Sequence, residues 1–177
     1  MRRISLRTIS VSRRPGRRSQ GWLRAGALVV PVALGRSGMK ANKREGDGST
    51  PRGSFHPVRL WWRADLLPRP RTLLPARRIG RADAWCEDAR DRRYNRSFVR
   101  SANEPGDRLW RDDGLYDVFL ELDHNTRPRV NGRGSAVFVH VARPGLTPTA
   151  GCVALRLHDL RILSGRIGRK TRIIIHG

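Results

Sequence analysis

Cys152 stands in the segment Pro148-Thr-Ala-Gly-Cys-Val-Ala-Leu155, and His140 lies upstream in Ser135-Ala-Val-Phe-Val-His140. A thiol beside an imidazole suits covalent acyl transfer: the thiolate attacks a carbonyl, and the imidazole takes and returns the proton. Gly151, just before the cysteine, allows a sharp turn and leaves room for substrate. Backbone N–H groups at such a turn form an oxyanion hole, and a thiol near them and near an imidazole has its pKa lowered. Against this stands an ordinary alternative. A buried cysteine is commonly a small hydrophobe, and a strand histidine is commonly just hydrogen-bonded. No other constellation competes. The five histidines (His56, His124, His140, His158 and His176) lack ligand spacing, and neither Cys86 nor Cys152 belongs to a CxxC pair, so no metal site is expected.

The elements that must position the pair are short. Residues 135–143 alternate as a strand, with Val137, Val139 and Val141 on one face and Ala136, Phe138, His140 and Ala142 on the other. Pro144, Gly145 and Pro148 mark a loop that brings this strand beside the Gly-Cys turn. Apolar spacing predicts a short helix over 155–167, directly after the turn, and a β-branched strand over 171–175. Residues 115–122 read as a strand with Tyr116, Val118, Leu120 and Leu122 on one face. Residues 55–63 read as another, with Pro57 near its start.

The first half is less regular. Residues 1–19 are rich in arginine and serine; the first few alternate weakly, and this basic N-terminal segment is expected as a frayed strand or a tail. An apolar stretch, 25–34, follows two arginine pairs. It reads as a late twin-arginine-like export signal or as a hairpin with its turn at Ala25-Gly26; Pro31 and the missing cleavage site favour the hairpin. Residues 35–53 form a glycine-rich loop. Residues 64–108, rich in Pro, Arg and Asp, are expected as an insertion that packs beside the core and walls a cleft. The expected organisation is thus residues 1–19 and a single domain over 20–177. Many short strands with one or two short helices indicate a mostly-β barrel or sandwich.

Charge adds a constraint. The chain of 177 residues carries 37 basic and 15 acidic residues, a formal net charge of +22. Nucleic-acid binding is one reading of such a balance, but the arginines are scattered and no nucleic-acid motif accompanies them. Adhesion to polyanions, including anionic cell-wall polymers, follows from the charge alone. A non-catalytic, polyanion-binding envelope protein is therefore the rival to an enzyme.

Several blocks in order resemble the L,D-transpeptidase catalytic domain family. Ser135-Ala-Val-Phe-Val-His140 followed by Thr149-Ala-Gly-Cys152 is similar to its active-site signature. Thr50-Pro-Arg-Gly-Ser-Phe55 is similar to its Thr-Pro-x-Gly-x-Phe element. Gly35-Arg-Ser-Gly38, Lys43-Arg-Glu-Gly-Asp-Gly48, Trp85-Cys86, Leu115-Tyr-Asp117 and His124-Asn125 resemble one bacterial branch. Ala150 departs from the usual His of Ser/Thr-His-Gly-Cys, and Ala154 stands where an Arg is common, with Arg156 two further on.

The resemblance implies that Cys152 is the nucleophile and His140 the base. Gly151, Cys152 and Thr149 would offer backbone groups to the oxyanion. A backbone carbonyl of Thr149 or Ala150 would orient the imidazole, His124 and Arg156 would contact substrate, and Cys86 would be a buried structural thiol. It further implies a peptidoglycan stem-peptide substrate, 3→3 cross-links through a thioester, no cofactor, inhibition by carbapenem-type β-lactams, a monomer, and a cell-envelope or periplasmic location. Hydrolysis of the same substrate, as an L,D-carboxypeptidase, uses the same residues.

Overall fold

A computed structural model describes residues 5–177. Its strands are β1 (Thr8–Arg13), β2 (Gln20–Ala25), β3 (Leu28–Ala33), β4 (Met39–Lys40), β5 (Thr50–Pro51), β6 (Gly53–Phe55), β7 (Pro57–Trp62) and β8 (Ala76–Arg78). They continue as β9 (Asp83–Trp85), β10 (Ser97–Val99), β11 (Asp107–Arg108), β12 (Val118–Leu122), β13 (Phe138–Val141), β14 (Val153–Leu155) and β15 (Arg172–His176), with one α-helix, α1 (Leu157–Ser164). The mostly-β fold expected from the alternating strands is therefore the fold observed.

Ten strands form one curled mixed sheet in the order β6-β15-β1-β2-β3-β14-β13-β12-β7-β8. Alternation along each strand divides its side chains between two cores. One is aliphatic: Val137 and Val139 meet Ile9, Val11, Leu23, Leu60, Leu120, Val153, Ile173 and the helix residues Leu160 and Leu163. The other is aromatic: Trp61, Trp85, Tyr116, Phe119 and Phe138 pack around Ala136 and Cys152. Phe138 is at its centre, 4.6 Å from Phe119 and 4.9 Å from Trp85 between ring centroids. The two-faced reading of residues 135–142 thus holds, and the nucleophile candidate sits on the aromatic side.

Four expectations change. The first lies in residues 1–19, of which 1–4 fall outside the described residues. Thr8–Arg13 is a strand, and neither frayed nor a tail: β1 lies in the sheet interior, parallel to β15 and antiparallel to β2, with Ile9 and Val11 fully buried. Thr8, Ser10 and Ser12 alternate with those two residues, a period-2 pattern that the surrounding arginines dilute. Second, the hairpin forms with its two-residue turn at Gly26-Ala27, where Gly26 takes φ +62°. Third, the strand expected over 115–122 starts only at Val118, because 115–117 turn. Fourth, the helix expected over 155–167 is confined to α1, and the short strand β14 separates it from Cys152. Among the described residues no α-helix N-terminus therefore faces the thiol.

The insertion at 64–108 carries β8, which extends the main sheet, and a separate three-stranded sheet in the order β10-β9-β11. It packs beside the aromatic core through Ile79 and Trp85.

Because Ile9 is wholly buried in an interior strand, Ile9→Ala is expected to cost about 2–4 kcal/mol in urea unfolding. A frayed segment would lose less than about 0.5 kcal/mol.

Candidate active site

Strands β13 and β14 run parallel, and their register sets His140 opposite Ala154, two residues beyond Cys152. The chain returns between them through a 3₁₀ turn at Pro144–Leu146 and the Thr149–Cys152 turn. Three contacts shape that turn. The Thr149 hydroxyl donates to the Cys152 carbonyl at 2.7 Å and accepts the Gly151 N–H at 3.1 Å. The buried Thr50 hydroxyl donates to the same carbonyl at 3.3 Å. Gly151 takes φ +150°, and a Cβ there would lie 2.8 Å from the Ser49 carbonyl and 3.2 Å from the Lys43 ammonium. Both the conformation and the space demand glycine.

The thiol is held on two sides. Cys152 Sγ donates to the Ala136 carbonyl at 3.1 Å and accepts the Phe138 N–H at 3.4 Å. His140 Nδ1 lies 2.8 Å from the Val141 carbonyl. A carbonyl only accepts, so Nδ1 carries the proton and Nε2 is left as the basic nitrogen. The Tyr116 ring meets the imidazole edge-on at 5.6 Å. Tyr116 in turn donates to Asp107 at 2.8 Å, and Arg111 bridges Asp107 and Asp113.

Cys152 and His140 line one cavity of about 530 Å³. Its wall carries both signs of charge: Arg36, Lys43, Arg111 and Arg143 face Glu45, Glu87 and Asp107. The family model of the L,D-transpeptidase catalytic domain, YkuD, matches residues 9–175. The chain belongs to that family. No curated protein and no solved structure matches it.

Several roles that the family resemblance implies change with the geometry. The carbonyl that orients the imidazole is that of Val141, next to His140 in sequence; the Thr149 carbonyl instead accepts the Arg36 N–H at 2.9 Å. The Thr149 N–H is held by Leu34 at 2.9 Å and the Gly151 N–H by the Thr149 hydroxyl. Thr149 thus pins the turn through its side chain, and the Cys152 N–H is left as the oxyanion donor to propose. His124 does not line the cavity. Its Nε2 lies 3.0 Å from the Arg133 carbonyl and its ring packs edge-on against Phe55, so it supports the loop before β13. Arg156 is exposed at the start of α1 and also lies outside the cavity wall. Cys86 is a buried free thiol whose pKa burial raises.

Sequence reasoning singled out neither Lys43 nor Glu87. Lys43 is buried, bonded to Asp47 at 2.9 Å, and sits against Gly151. Burial would raise the Asp47 carboxyl, but hydrogen bonds from Ser49 and Lys43 outweigh it and hold it well below the carboxylate range. Lys43 therefore faces a fixed anion and stays positioned. Glu87 opens to the cavity and forms no ion pair among the described residues, and crowding by protein, Asp107 and Glu45 pushes it up to about 7. The Lys43–Gly48 block was the available signal for the first. Glu87, in an aperiodic insertion, had none.

The resting pair is neutral. Burial, then the nearby Arg111 and Arg143, push His140 down to about 4, although the Val141 carbonyl works the other way. Burial and the charges of Asp107 and Glu87 push Cys152 up to about 12, against the Phe138 N–H and Lys43. Among the described residues no hydrogen bond joins thiol to imidazole, since the thiol proton is given to Ala136. The lowered thiol pKa expected from the turn is thus reversed by desolvation. Iodoacetamide labelling of Cys152, followed by peptide mapping, is expected to rise with pH through about 9 without a plateau. A half-rate point below pH 7 would reveal a preformed thiolate–imidazolium pair instead.

Proposed function

We propose that this family member is an acyl-transferring L,D-transpeptidase acting on peptidoglycan stem tetrapeptides, with Cys152 as nucleophile and His140 as base. One observation carries the reading: thiol and imidazole share a cavity, and the Val141 carbonyl fixes the tautomer that leaves Nε2 basic. Substrate entry moves the thiol from Ala136 toward the imidazole. Sγ then attacks the carbonyl of the diamino acid at position three while its proton passes to His140 Nε2. The tetrahedral oxyanion takes the Cys152 N–H, with Lys43 supplying positive charge nearby. Collapse breaks the C–N bond to the terminal D-alanine, whose amine leaves with the proton from His140. The thioester is then attacked by the side-chain amine of a second stem, His140 accepts its proton, and the 3→3 cross-link forms as the thiol is regenerated.

The mixed charge of the cavity suits the zwitterionic end of a diamino acid. A carboxylate is complementary to Arg36 and Arg143, and an ammonium to Glu87. Glu87 is uncommitted to other groups, which is why it is assigned the ammonium.

Cys152→Ala is expected to abolish acyl-enzyme formation, detected by intact mass with stem peptide or a carbapenem, and Cys152→Ser to be nearly as damaging. His140→Ala is expected to slow acylation roughly 10²–10⁴-fold with the fold intact. Wild-type turnover by Cys152→Ala, or acylation on Cys86, would overturn the assignment. Product analysis separates cross-linked dimers from tripeptide and so distinguishes amine from water as acceptor.

Glu87→Gln is expected to raise KM for the tetrapeptide about tenfold with kcat within about threefold. In the wild type KM rises as pH falls through about 7, because the neutral acid no longer attracts the ammonium. Glu87→Gln should flatten that dependence. An unchanged pH profile of KM would remove Glu87 from substrate recognition.

A further inference from the structure

Ala136, whose carbonyl holds the thiol proton, is itself in an unusual conformation, φ +51°. The left-handed region is costly for alanine, roughly 1–3 kcal/mol, and persists only where neighbours over-determine it. Its N–H is held by Asn95, which lies far away in sequence within the 64–108 insertion. The Asn95 amide is almost fully buried and every contact it makes serves one purpose. Oδ1 accepts the Ala136 N–H at 3.2 Å and the Trp85 indole N–H at 3.1 Å. Nδ2 donates to the carbonyls of His124 at 3.0 Å and Asn125 at 2.9 Å. One side chain thus ties the loop after β12 and the segment before β13 to the insertion. The neighbouring Tyr94 does the same one step upstream, where its hydroxyl accepts the Gly134 N–H at 3.1 Å.

We infer that Asn95 is a positioning residue for the nucleophile: by holding the Ala136 N–H it fixes the Ala136 carbonyl that parks the Cys152 thiol. The inference rests on Cys152 being the nucleophile. The chemistry is specific to an amide. Two acceptor lone pairs and two N–H donors meet two donors and two carbonyls, and asparagine tolerates its own φ of +55° here. A hydrogen bond to the neutral thiol disfavours the thiolate, so a fixed Ala136 carbonyl keeps the proton on sulfur until substrate displaces it. Asn95 therefore adds to the effect of burial on the resting protonation and sets the starting geometry of attack, while touching neither substrate nor sulfur.

The test uses Asn95→Gly, which removes the amide without straining the backbone, in a Cys86→Ala background so that one thiol reports. The thiolate absorbance near 240 nm, taken as the difference from the matching Cys152→Ala protein, is expected to begin at least about half a pH unit lower than in the parent. Acylation by stem peptide is expected to show kcat about 10–100-fold lower with KM within about threefold. Asn95→Asp keeps the acceptor and adds negative charge, so its thiolate onset should stay put or rise. Trp85→Phe, which removes the other donor to Oδ1, should loosen the insertion without moving the onset. An unshifted onset in Asn95→Gly, a lower onset in Asn95→Asp, or an equal shift in Trp85→Phe would each overturn the role. If the parent does not turn over stem peptides, Proposed function fails while the absorbance titration still decides the role of Asn95.

Discussion

Parallel pairing of β13 with β14 governs the site. Parallel neighbours cannot be joined by a tight hairpin, so the chain must leave the end of β13 and cross back to the start of β14. That crossing is where residues 142–152 run, and its last turn delivers Cys152 to the same end of the sheet as Ala136 and Phe138. The register, His140 opposite Ala154, places the imidazole one pleat from the thiol's strand. A one-residue slip would turn His140 into the aliphatic core, drive Val139 out of it and carry the imidazole away from the thiol. The remaining contacts defend that register: Thr149 and Thr50 both clasp the Cys152 carbonyl, and Gly151 lets Ser49 and Lys43 approach.

Burial decides the electrostatics. Both partners sit where water is scarce, and desolvation dominates each pKa. An ion pair at rest would have to overcome the burial of two charges, which paired geometry seldom offsets. The site holds a proton on sulfur and a neutral ring instead. Such a resting state resists oxidation and stray alkylation, since the thiolate is the reactive form. The same balance links to stability. The folded His140 pKa lies below the ordinary value, so its contribution is complete above about 6.5 and is lost as pH falls through about 4.

The pair itself was legible because chemistry restricts it to few residue types and because alternation in residues 135–142 put His140 and Ala136 on one face. The strands with clean alternation, β12, β13 and β15, were legible for the same reason. What escaped the sequence was long-range or backbone in origin. The Val141 carbonyl carries no side-chain signature, so the orienting group was sought near the cysteine. Strand β14 has three residues, and its neighbour α1 masked it by continuing the apolar pattern. Asn95 and Glu87 stand in an insertion without periodicity, where only the fold reveals that an amide meets Ala136 and a carboxyl meets the cavity. The alternation in Thr8–Arg13 is legible but weak, and the interior place of β1 is not, because it comes from pairing with β15 at the far end of the chain.

The charge distribution completes the argument. Many carboxylates are consumed by arginines two positions away, as in Arg63–Asp65, Arg90–Asp88, Arg93–Asp91 and Arg111–Asp113. Local pairs of this kind add little stability when exposed, but among the described residues they leave most of the other guanidiniums without a carboxylate partner. The outer surface therefore keeps a strong positive field, which concentrates anionic polymers around the protein at low ionic strength. Inside the cavity the balance differs, with three carboxylates against four cations. Surface and cavity thus differ in kind: the outer field works at a distance and is screened by salt, while Glu87, Lys43 and Asp107 place charges of both signs at contact range along the cavity wall.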